Sequence, residues 1–197
     1  MRIHKPKIVD LSGNLISDWP QPQNDSFEEK YSTEVESLIL NGNKLNTLNM
    51  QAVNESFSKL IKLDLRSNNI LFISQFAALP ILEVLDLGCN QLTRVPAKFF
   101  ESVPNLSQLY LDNNQIEFLP PELCDLTSLK HLAIQLNHFS YIPASLFYLD
   151  LESLGLEWFN YLEPQIRSPF PPKNAPSDTM TTLLLLARRM CEVDSEI

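Results

Sequence analysis

The sequence predicts an α/β solenoid: a curved parallel β-sheet on a concave face, short helices and loops on the convex face, and a C-terminal capping helix. Three observations predict it. One apolar pattern recurs along most of the 197 residues, an asparagine stands at a fixed place in each recurrence, and a Pro-rich stretch with a helix-like segment follows the last copy.

In register, the copies read VESLILNGNKLNTL from Val35, LIKLDLRSNNILFI from Leu60, LEVLDLGCNQLTRV from Leu82, LSQLYLDNNQIEFL from Leu106 and LKHLAIQLNHFSYI from Leu129. All fit L-x-x-L-x-L-x-x-N-x-L-x-x-L with aliphatic or Phe variation. The second leucine falls at Leu38, Leu63, Leu85, Leu109 and Leu132, in steps of 25, 22, 24 and 23 residues. A weaker first copy places Val9, Leu11, Asn14 and Ile16. A degraded last copy keeps Leu154 and Leu156 but has Phe159 where the asparagine belongs. Units of this length cannot bury a core alone, and stacking makes the core continuous.

Each L-x-L alternates, so its leucines point inward and their neighbours outward. The asparagine marks the corner where the strand ends, and its amide can bond backbone groups that the turn leaves unpaired. Stacking therefore sets Asn14, Asn43, Asn68, Asn90, Asn114 and Asn137 in one column. On the return path, Asn49–Leu60 reads as a helix with Met50, Val53 and Phe57 inward, and AKFFESV and ASLF as single turns. The polar stretch between the first two copies reads as an exposed loop. Its Trp19 either binds a partner or tucks against the open end of the first repeat.

Residues 1–162 make up the solenoid on this reading, with 163–197 as a second segment. There, Pro164, Pro169, Pro171, Pro172 and Pro176 predict an extended strap. Met180, Leu183, Leu184, Ala187 and Met190 then recur at helical spacing, with Ser177 or Asp178 as the cap. This helix either closes the solenoid or docks a partner.

The pattern resembles the leucine-rich repeat family over roughly residues 7–162. The Val95-Pro96, Leu119-Pro120 and Ile142-Pro143 endings look like those of its intracellular adaptor types. The resemblance implies a scaffold that binds other proteins. The three cysteines, Cys89, Cys124 and Cys191, suggest neither a disulfide framework nor a zinc pair, which agrees with a reduced, cytoplasmic setting.

Equivalent outward positions form columns across the sheet. The central column runs Asp10, Ile39, Asp64, Asp86, Tyr110, Ala133 and Gly155. Lys62 and Arg66 flank Asp64 on its own strand, whereas Asp86 has Val84 and Gly88 beside it. Asp86 and the diagonal Asp112 are therefore either solvated charges or acceptors for a partner's Lys or Arg. Toward the C-terminal half, Tyr110, His131, Leu136 and Trp158 form an aromatic and apolar patch of the kind that anchors partners. Trp158 and Leu136 are alternatively covered by the strap or cap. Gly88, Ala133 and Gly155 are expected to leave room for a protruding side chain.

With Lys+Arg at 15 and Asp+Glu at 24, the net charge is −9, which disfavours nucleic acid and anionic lipid. The longest strongly apolar run, Leu183–Ala187, is far too short to span a membrane. His131 lies beside Gln108, with Asp112 roughly 13 Å along the strand direction, so no Asp-His pair forms. No phosphate loop, metal-spaced cluster or HExxH occurs. The expected function is protein binding on the concave face, without catalysis, cofactor or metal. The alternative is a regulatory or targeting part of a larger signalling enzyme. A thiol hydrolase or ligase using Cys191 or Cys89 is a third class.

Overall fold

The computed structural model describes residues 7–19, 34–139, 146 and 149–155. Seven strands form one all-parallel sheet: β1 (Ile8–Asp10), β2 (Ser37–Ile39), β4 (Lys62–Asp64), β6 (Val84–Asp86), β7 (Gln108–Tyr110), β8 (His131–Ala133) and β9 (Ser153–Gly155), neighbouring in that order. The register keeps like positions together: Val9, Leu38, Leu63, Leu85, Leu109, Leu132 and Leu154 pair in turn. Consecutive parallel neighbours require each connection to cross over and return, which is the solenoid expected from the repeat.

The core is built of columns. Leu38, Leu63, Leu85, Leu109 and Leu132 are at most 1% exposed, and so are Leu40, Leu65, Leu87, Leu111 and Ile134. Each such side chain stabilises the fold by about 1.5–3 kcal/mol. The first repeat is looser. Its Val9, Leu11 and Ile16 are only partly buried, because nothing among the described residues stacks beyond β1.

The asparagine column performs the predicted role across repeats. Asn114 Nδ2 donates to Leu111 O at 3.0 Å in its own turn and to Leu87 O at 2.9 Å in the preceding one. Its Oδ1 accepts from Leu92 N at 3.0 Å. Asn43, Asn68, Asn90 and Asn137 repeat this three-way pattern. Among the described residues Asn14 bonds only within its own turn, to Leu11 O and Ser12 O.

Immediately before each asparagine the backbone is left-handed. Gly13 and Gly42 take this position with φ near 65° and 66°, but Ser67, Cys89, Asn113 and Leu136 hold it at 53–56°. A side chain there costs about 1–2 kcal/mol that glycine avoids.

The convex side holds α1 (Met50–Ser56), capped by Asn49 Oδ1 accepting from Ala52 N at 3.0 Å, with Met50, Val53 and Phe57 buried as expected. A second helix, α2 (Ala97–Ser102), buries Phe99 and Phe100 edge-to-face, their rings 5.2 Å apart. Pro121–Asp125 forms a 3-10 turn. A second, two-stranded sheet pairs β3 (Thr47–Asn49) with β5 (Phe72–Ser74). The sequence reading did not anticipate it, because three residues of alternation carry little signal.

Trp19 is neither an exposed binder nor a plug on the open end. It lies five residues after Asn14, the place held by Leu48, Ile73, Val95 and Leu119 in later repeats. It is 7% exposed and donates its indole N–H to Thr47 O at 2.9 Å, so it is a core position of the first repeat. The expected strap, the capping helix and most of the inter-repeat loop lie outside the described residues.

Candidate functional site

The middle of the concave face is a charge cluster that begins with Arg66, two residues past β4. Its Nη2 donates to Asp112 Oδ2 at 2.7 Å and its Nη1 to Asp112 Oδ1 at 3.1 Å. The same Nη1 lies 3.4 Å from Asp86 Oδ1. Arg66 thus reaches across β6 to grip the residue beyond β7. Gly88 leaves the space for this, since a Cβ there would collide with Arg66 Nη1 and Asp112 Oδ1.

This corrects the expectation that Asp86 and Asp112 stand open to a partner's cation. Asp112 has both oxygens taken by Arg66, and its side chain is only 8% exposed. Asp86 Oδ1 accepts from Gly88 N at 2.8 Å as well as from Arg66 Nη1. Burial, foremost, lifts the Asp86 carboxyl above the ordinary aspartate value, while the Gly88 amide and Arg66 pull it back. Arg66 is held more firmly protonated, chiefly by its hydrogen bond to Asp112. The cation comes from the previous repeat and passes over a glycine, a route that single-strand reasoning does not see. Its sequence signal was an arginine, a glycine and an aspartate in one column.

Asp64 is satisfied without the Arg66 guanidinium. Its Oδ1 accepts from Arg66 N at 3.0 Å and its Oδ2 from Asn41 Nδ2 at 3.2 Å. The room expected over Gly155 is also filled, because Gln135 Oε1 lies where a Cβ would be. That oxygen is buried and has no hydrogen-bond partner among the described residues. Ala133, the third small residue, pairs with Tyr110 across the sheet.

Tyr110 and His131 stand on adjacent strands, and both are half-buried. Tyr110 Oη donates to Gln108 Oε1 at 3.0 Å, which fixes the ring on its own strand. His131 Nδ1 shares a 2.7 Å hydrogen bond with Ser153 Oγ. Glu152 Oε2 lies 3.9 Å from His131 Nε2, beyond hydrogen-bond reach, so among the described residues no oriented carboxylate completes a nucleophilic triad with this serine and histidine. Leu136 is 55% exposed at the strand edge, in the left-handed conformation. Trp158 lies outside the described residues. Among the described residues no group of three His, Cys, Asp or Glu side chains could hold a metal ion. Nor is any helix among those residues long and apolar enough to cross a membrane.

A family profile described as "Leucine rich repeat" matches residues 80–139, the stretch whose strands and asparagines are described above. This chain is a leucine-rich repeat protein. Leucine-rich repeat-containing protein 7 of Rattus norvegicus is 41% identical over 66 residues, 34% of this chain and 4% of that protein. The adenylate cyclase of Schizosaccharomyces pombe is 28% identical over 162 residues, 77% of this chain and 9% of that protein. The chain therefore spans a small part of the relatives it matches. Among solved structures, a Leptospira interrogans leucine-rich repeat protein superposes with a TM-score of 0.54 at 27% identity, over 60% of this chain and 31% of that one. A plant peptide hormone receptor, in complex with the partner RGF2, gives a TM-score of 0.51 at 28% identity, over 66% of this chain and 22% of that one.

Proposed function

We propose that the chain is a cytoplasmic protein-binding module whose concave face receives a partner between Tyr110, His131 and Leu136. The observation that carries this reading is the fixed, half-buried pair of Tyr110 and His131 beside Ala133. Each ring is tied by a hydrogen bond and presents apolar surface at little cost in conformational freedom. The Arg66 cluster supports them as a rigid border. On this reading Asp112, with both oxygens on Arg66, is no acceptor for a partner's Lys or Arg. The solved hormone receptor complex favours a protein or peptide ligand. Catalysis, cofactors and nucleic acid have no part in this reading.

The match across most of this chain to a small share of an adenylate cyclase favours a second reading, a regulatory or targeting segment of a larger signalling protein. Capture from cell lysate on the wild-type chain, on Tyr110→Ala and on His131→Ala tests the concave-face reading. A retained protein that depends on Tyr110 supports concave-face binding, and retention indifferent to Tyr110 and His131 overturns it.

A further inference from the structure

One flank outside the concave face carries an apolar stripe. In three successive repeats the second and fifth residues after the column asparagine are buried: Ile70 and Ile73, Leu92 and Val95, Ile116 and Leu119. The two residues between them are exposed: Leu71 and Phe72, Thr93 and Arg94, Glu117 and Phe118. Leu71 is 46% exposed, Phe72 50% and Phe118 42%. Backbone bonds from Gln91 N to Ile70 O (2.9 Å) and from Gln115 N to Leu92 O (2.8 Å) keep the three turns in step. Arg94 therefore lies between Phe72 and Phe118, and it makes no ion pair or hydrogen bond among the described residues.

We propose that this flank docks an amphipathic helix of a partner protein, one that presents two apolar side chains two turns apart with a carboxylate midway. The spacing fits a helix. Phe72 and Phe118 are two repeats apart, roughly 10 Å at the ~4.8 Å separation of paired strands. Seven residues of α-helix rise about 10.5 Å, so positions i and i+7 meet the two rings and i+4 meets Arg94. The charge selects the acid. A cation between two apolar rings gains most from an anion that binding desolvates with it. Glu117 borders Phe118, which places the partner's acid over Arg94 and not at the end of the contact. This surface is independent of the concave one.

The test uses two labelled helical peptides of about five turns. Both carry Leu at i and i+7, with Glu at i+4 in one and Lys in the other, and each is titrated by fluorescence anisotropy against the full chain. Wild type should bind the Glu peptide about two- to fivefold tighter. Arg94→Glu should reverse the order, and Phe118→Ser should weaken both, with unchanged circular dichroism. Equal binding of the two peptides, absence of saturable binding, or a preference that survives Arg94→Glu would overturn the proposal. So would sedimentation showing that wild type self-associates through the stripe and that Phe72→Ser abolishes it, since the occupant would then be a second copy.

Discussion

Arg66 and Asp112 stand two strands apart on the concave face, yet their side chains meet in a two-point ion pair at 2.7 and 3.1 Å. The pair ties three consecutive strands through side chains alone, and it exists because position 88 between them has none. Its acid is nearly buried while its guanidinium is 38% exposed, so breaking the pair strands the carboxylate more than the cation.

Gly88→Ala should therefore act through Arg66. We expect a loss of about 1–3 kcal/mol in urea denaturation, from the unpaired Asp112 carboxylate. In an Arg66→Ala background the same substitution should cost much less, giving a coupling well outside the error of a double-mutant cycle. Additive losses would mean that Gly88 serves only its own backbone.

The asparagine column gives a graded prediction. Asn114→Ala orphans the buried Leu92 amide and takes one of two side-chain bonds from Leu87 O and from Leu111 O, which keep Asn90 and Asn137, and should cost roughly 1–3 kcal/mol. Asn14→Ala removes bonds only within an exposed turn and should stay within about 0.5 kcal/mol. Thermal or urea unfolding of the two variants side by side checks the contrast.

Asp86 sets a pH dependence. Its folded carboxyl is raised, so the folded state holds this proton more tightly than the unfolded chain does. Its contribution to stability then falls as pH rises from the ordinary aspartate value through the raised one. Asp86→Asn keeps an acceptor for Gly88 N and cannot titrate. The stability of wild type minus that of Asp86→Asn, from urea curves across the carboxylate range, should fall with rising pH.

Leu136 combines an exposed apolar side chain with a left-handed backbone. Leu136→Gly should raise stability by about 0.5–1 kcal/mol, the relief of strain less the greater freedom of glycine in the unfolded chain. If Leu136 contacts the partner, the same variant binds more weakly while melting higher, an opposition that a purely structural residue would not show.

Much of the fold was legible because stacking makes each position in the repeat repeat its environment. Leu38 and Leu109 are buried for the same reason, and one spacing argument places both. The asparagine column was legible likewise, since its bonds run between equivalent atoms of neighbouring turns. The concave charges were not. Where the Arg66 guanidinium rests depends on its length and on a gap one strand away, neither of which a single repeat encodes. Trp19 was missed because a large aromatic stands where later repeats carry Leu, Ile or Val, though its distance from Asn14 marked it as core. Leu71, Phe72 and Phe118 were not legible because the repeat fixes the buried positions of the flank and leaves the two between them free to vary.

The central claim is that the concave face beside Tyr110 is where a partner protein sits. A photo-reactive benzoylphenylalanine at position 110, with the same residue at convex Lys98 as the control, tests it most directly. Irradiation in lysate should give a discrete protein adduct from position 110 and none from position 98. An adduct from position 98 alone, or from neither position, would contradict the account.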